Sequence, residues 1–114
     1  MKISKFIDFF IETQNKLETM DNSTLKMAHK KKFAKDVRKA LMRNPFVIGE
    51  CDDKQIAFVF DSNRECERFI KDNFMRSFRR AGFKEFLKMI CNGQLSVDNF
   101  RYDKDLNKLF YVAE

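Results

Sequence analysis

The chain has 114 residues, 44% of them hydrophobic, with 14 Phe and no Trp; this allows one domain with one modest core and excludes both a disordered segment and a second domain. A formal charge of +6 points to an anionic partner such as nucleic acid. Cys51, Cys66 and Cys91 are far apart and odd in number beside a single histidine, His29. That spacing excludes a zinc-ligand pattern or a disulfide framework and indicates a reducing compartment, nucleus or cytoplasm.

The first segment, MKISKFIDFFIETQ, is interrupted by Lys5, Asp8 and Glu12, so it reads neither as a signal peptide nor as a membrane span. Ile3, Phe6, Ile7, Phe10, Ile11 and Leu17 fall on one side of a 3.6-residue repeat, which predicts an amphipathic helix from about residue 3 to 19. Residues 1–22 are expected to form a helical extension to a core spanning 25–114. The apolar face of such an extension would suit a homodimer or another protein partner, or would equally serve to cap the core. Asp21-Asn22-Ser23-Thr24 offers a turn and an N-cap, and the glycosylation sequon it contains is read as chance.

A second helix is predicted from Leu25 to Met42, with Phe33, Val37, Ala40 and Leu41 facing inward. Its outer face carries the densest charge in the chain: between residues 26 and 43 eight basic residues, among them Lys31, Lys35, Arg38 and Lys39, stand against Asp36 alone. Phosphate binding, a nuclear-import signal and a solvated helix face all fit that composition. Asn44-Pro45 ends the helix, because the residue before proline is pushed out of helical geometry.

FVIGECDDKQIAFVF, residues 46–60, reads as a β-hairpin around an acidic centre. Glu50, Asp52, Asp53 and Lys54 resemble a nuclease-like set of carboxylates and lysine only faintly, since a hairpin turn normally holds such acids. Ser62-Asn63-Arg64-Glu65 has capping-box spacing and starts a helix whose inward face is Cys66, Phe69, Ile70 and Phe74. Ala81-Gly82 breaks the rhythm. Phe83, Phe86, Leu87 and Ile90 restart it as a new helix that ends before Asn92-Gly93. Two helices about a short glycine-containing turn predict a helix-turn-helix. Apolar runs at Leu95–Tyr102 and Leu109–Ala113 predict a second hairpin.

Between residues 58 and 90 the sequence resembles the DNA-binding domain of heat-shock transcription factors, a winged-helix family. The resemblance rests on FVF at Phe58–Phe60, the inward Phe69, and Phe78, Phe83 and Phe86 in FRRAGFKEF followed by Leu87 and Lys88. Lys88 stands where that family has its base-reading arginine, and the family's hairpin tryptophan is missing. The ETS winged helix, with the same helix and hairpin order, is a second relative. The resemblance implies an α+β winged-helix fold, a recognition helix over residues 83–92, and duplex DNA as partner.

On that helix Lys84, Lys88 and Asn92 lie opposite the apolar stripe, with Lys88 and Asn92 offering base-readout chemistry. Arg76, Arg79 and Arg80 in the turn would hold phosphates. The phenylalanine spacing is that of a core, not of a base-stacking platform. No catalytic, metal or cofactor residue is expected: His29 has no nucleophile or acid at a recognisable spacing, and the isolated glycines form no phosphate loop. A non-enzymatic protein-interaction module that binds an acidic partner, or inhibits a larger complex, is the alternative.

Overall fold

A computed structural model describes residues 2–90 and 95–113. It is an α+β fold in the order α1 (Ile3–Thr19), α2 (Ser23–Leu41), β1 (Phe46–Cys51), β2 (Lys54–Val59), α3 (Asn63–Asp72), β3 (Arg79–Ala81), α4 (Phe83–Met89), β4 (Phe100–Asp103) and β5 (Lys108–Ala113). The strands form a five-stranded sheet in the order β3-β1-β2-β5-β4 with every pairing antiparallel.

Strand alternation gives the sheet two working faces. Phe46 and Ile48 of β1, Ala57 and Val59 of β2, and Leu109 and Tyr111 of β5 point to one face, where they join Phe6, Phe10, Phe33, Val37, Leu41 and Phe86 in the main core. Val47 and Phe58 point to the other face and meet Cys66, Phe69 and Ile70 of α3. Helices α1, α2 and α4 thus lie on one side of the sheet and α3 on the other.

The turn of β1–β2 explains the acidic cluster. Asp52 and Asp53 both have positive φ, 53° and 63°, as a two-residue type I′ hairpin loop requires. Asn22 caps α2 by accepting from the amides of Thr24 and Leu25, which starts the helix at Ser23, two residues before the expected Leu25. At α3 the Ser62 hydroxyl accepts from the Glu65 amide as expected, but the Glu65 carboxylate reaches the amide of Asp61, one residue earlier than a capping box would place it.

Three expectations are corrected. First, residues 1–22 are not an appendage: Ile3, Phe6, Ile7 and Phe10 are buried in the main core, and the amide of Ile3 donates to the Asp61 carboxylate at 2.7 Å. Of the apolar face proposed for dimerisation, Ile3, Phe6, Ile7 and Phe10 are covered by the chain itself, Leu17 is partly buried and Ile11 is exposed. Second, Phe74 is 77% exposed, because Asn73 ends α3 by returning its backbone N–H to the carbonyls of Phe69 and Ile70 and its side-chain amide to Phe69. Third, the segment expected to be a helix-turn-helix turn contains β3, which pairs with β1 along the sheet edge. A strand between α3 and α4 sends them to opposite faces instead of packing them together.

Near the C-terminus the first apolar run is shorter as a strand than expected. Ser96 caps a single 3-10 turn at Val97–Asn99 before β4 begins at Phe100. The β4–β5 hairpin itself is present.

Candidate nucleic-acid interface

Helix α2 is amphipathic because its buried residues, Phe33, Val37 and Leu41, recur every four positions. The opposite face is therefore fixed as well. Lys31, Lys35 and Lys39 share the same spacing there, and all are exposed. No acid among the described residues lies within ion-pair reach of these three ammonium groups. Arg38 lies beside the row and is also exposed. Lys30, closer to the core side, is drawn off to Asp98 at 3.0 Å.

The arginines expected to act together are divided by the strand that carries them. Arg79 and Arg80 are adjacent in β3, so they emerge on opposite faces of the sheet. Arg79 pairs with Glu85 of α4 on the main-core side, and Arg80 pairs with Glu67 of α3 at 3.1 Å on the other. The Arg79 guanidinium, by hydrogen bond first and by charge second, holds the Glu85 carboxyl below its usual range. Arg76 stands apart from both, with Nη1 3.1 Å from the Cys51 sulfur. None of the three is poised with an unengaged guanidinium beside another.

Helix α4 is seven residues long, about 10 Å at 1.5 Å per residue. Phe86 is buried and Phe83 and Leu87 are partly buried against the core, while Lys84 and Lys88 point to solvent. The expected recognition helix ran to residue 92; Asn92 lies outside the described residues.

The sequence reading missed a cleft of about 570 Å³ where the C-terminal end of α2 meets the start of α4. Arg43, Asn44, Asp61, Arg80, Phe83 and Glu85 contribute to its walls. Buried Asn44 shapes it, donating its side-chain amide to the Phe60 carbonyl at 2.9 Å and so fixing the end of α2 to the end of β2. The cleft brings the residues that follow α2, Met42 to Pro45, beside the start of α4 at Phe83. Only Asn44-Pro45, read as a helix stop, signalled this junction in the sequence.

Among the described residues no three of His, Cys, Asp and Glu converge as a metal site, and no helix is long and apolar enough to cross a membrane. Burial raises the Cys66 thiol from 9.0 to about 11, so this cysteine belongs to the packing beneath α3. No family model matches the chain, and no curated protein or solved structure matches it either.

Proposed function

We propose that this chain binds duplex DNA through its phosphate backbone, with α2 as the principal contact and Lys84 and Lys88 of α4 in support. The observation that carries this reading is the row Lys31, Lys35 and Lys39, exposed and without ion-pair partners among the described residues. The row spans about 12 Å of helix axis, a length over which a duplex presents roughly seven phosphates. Ammonium groups act there as point charges that displace counterions, which gives affinity without sequence information. Selection among base sequences is correspondingly weak, since α4 offers Lys88 but no guanidinium for a two-pronged contact with guanine.

The order of parts, hairpin β1–β2, helices α3 and α4, and hairpin β4–β5, is that of a winged helix, but α3 and α4 lie on opposite faces of the sheet and form no helix-turn-helix, so the DNA reading does not rest on that fold. The strand between α3 and α4 shifts the proposed DNA contact from a recognition helix to α2. In this reading the protein is a non-enzymatic regulator of transcription or of the genome.

The test is the affinity for a random-sequence duplex, measured by fluorescence anisotropy across a salt series. The triple variant Lys31→Ala/Lys35→Ala/Lys39→Ala is expected to flatten the log–log salt slope by about 2 to 3. Arg79→Ala/Arg80→Ala is expected to leave it nearly unchanged, because both side chains are already engaged by acids. Wild-type protein that fails to bind at low salt, or a triple variant that keeps the full slope, overturns the reading.

A further inference from the structure

The face of the sheet that carries α3 is only half covered, for a geometric reason. Five strands are about 19 Å wide at 4.8 Å spacing, whereas one helix with its side chains is about 10 Å across. Helix α3 has ten residues and lies over β3 and β1, with its side chains packing on Val47, Phe58 and Phe60. The register aligns Val47 with Phe58, Phe58 with Phe110 and Phe110 with Arg101 across the sheet. Phe110 therefore lies beyond the helix, partly open to solvent.

A groove of about 340 Å³ lies in this uncovered region. Phe58, Phe69 and Phe78 form its aromatic wall, with ring centroids 4.8 to 5.9 Å apart. Leu106, at the tip of the β4–β5 hairpin and 62% exposed, forms the opposite lip. Phe74 and Met75 stand 77% and 85% exposed on the loop that leads from α3 to the groove residue Arg76. Large apolar side chains so exposed on one short loop beside an apolar groove exceed what solubility favours, and such patches mark binding surfaces.

The rim of the groove decides what it would bind. Arg76 and Lys108 are its charged lining residues, and no lining residue is acidic. The Arg76 guanidinium has a thiol as its partner, a weak acceptor that a carboxylate would outcompete. Lys108, a lining residue of the groove, has its ammonium over the Phe60 ring at 4.7 Å. A second copy of the chain is disfavoured by charge, because a two-fold contact would set this cationic rim against an identical cationic rim. Stacked bases are also disfavoured: the three rings pack tilted or edge-on against one another, so the wall is concave and lacks the free ring faces of a stacking platform.

We infer that this groove is a docking site for a partner protein's peptide segment in which large apolar side chains alternate with carboxylates. The apolar side chains fill the space between the phenylalanine wall and Leu106, and the carboxylates meet Arg76 and Lys108. The site lies on the face opposite the main core to which α2 belongs, so it does not depend on the DNA reading. A chain that held a duplex at α2 and an acidic peptide at α3 would join the two.

Three synthetic peptides of equal length test the inference: one alternating Phe and Leu with Glu, one with Lys in place of Glu, and one with Ser in place of Phe and Leu. Binding is followed by anisotropy and by amide chemical shifts of isotope-labelled protein. The acidic apolar peptide is expected to shift the amides of residues 69–78 and 106–108 and to lose at least tenfold in affinity in Leu106→Glu and in Arg76→Glu/Lys108→Glu. Leu106 and Arg76 are exposed, so these folds should survive, and the unperturbed spectrum elsewhere verifies it. Binding should persist in Lys31→Ala/Lys35→Ala/Lys39→Ala, which separates this site from the DNA surface. No binding at millimolar peptide, equal binding by the lysine peptide, or shifts confined to α2 overturns the inference. A labelled oligothymidine that shifts the groove amides in place of the peptide overturns it too.

Discussion

Gly49 lies directly under the ring of Phe78. A β-carbon at this position would stand 2.0 Å from Cδ1 and 2.5 Å from Cε1 of that ring, far inside van der Waals contact. Gly49→Ala is therefore expected to destabilise the fold by about 1 to 3 kcal/mol, the range of overpacking in a filled site. The same change in a Phe78→Ala background should cost only a few tenths, because the clashing ring is gone. Urea unfolding of the four proteins measures the difference, and equal costs in both backgrounds would place the strain elsewhere. Glu85 supplies a second residue-scale expectation. Its carboxyl is held below 4.5 by Arg79, so the stabilisation is present above pH 4.5 and disappears as pH falls through the lowered folded value. A carbon-detected titration should find the Glu85 midpoint below 4.5 in wild type and closer to 4.5 in Arg79→Ala. The energy at stake is small, since both side chains of the pair are at least half exposed to solvent.

At the scale of elements, helix α3 depends on its start. Its Ser62 cap serves the Glu65 amide, Glu65 serves Asp61, and Asp61 in turn accepts from Ile3 at the start of α1. Ser62→Ala should cost about 1 kcal/mol and lower Tm by roughly 3 to 6 °C in a chain of this size. Amide exchange should quicken at Glu65–Glu67 while the β1–β2 ladder stays protected. Uniform loss of protection would show that α3 and the sheet unfold as one unit. The Ser-x-x-Glu spacing made this helix legible from its start, as 3.6-residue repeats did for α1 and α2 and the paired apolar runs did for both hairpins. The end of α3 was not legible: Phe74 continues the apolar repeat, and only the backbone turn at Asn73 removes it from the core. Strand β3 left no local signal either. It is three residues long, and its partners in β1 are some thirty positions away in sequence, so no periodicity within a window could reveal it. Missing that strand turned Arg79 and Arg80 into a supposed pair, when alternation sets them on two faces.

At the scale of the molecule, the consequential quantity is how much of the fold's stability depends on α1, whose Ile3, Phe6, Ile7 and Phe10 lie in the main core. Its apolar spacing marks it as a helix with something to cover, but spacing does not say whether that surface is its own chain or another. The structure places the Phe6 and Phe10 ring centroids 6.0 to 6.4 Å from those of Phe33 of α2 and Phe100 of β4, which are themselves 5.9 Å apart. Phe6 and Phe10 are 0% and 1% exposed. Removing one such ring costs about 3 to 5 kcal/mol, against a total of about 5 to 15 kcal/mol for a domain. Phe6→Ala/Phe10→Ala should therefore leave little or no cooperative transition in urea, and a chain reduced to residues 25–114 should leave none. Without α1 the apolar faces of Phe33 and Phe100 would meet water, and α2 would lose the neighbour that holds its lysine row outward. If the shortened chain unfolds cooperatively within about 1 kcal/mol of the whole, stability depends little on α1 and its buried face is available to a partner. If it does not, the helix is a structural wall of the core. Any loss of DNA affinity on its removal then reports unfolding, so the lysine substitutions on intact α2 remain the proper test of the interface.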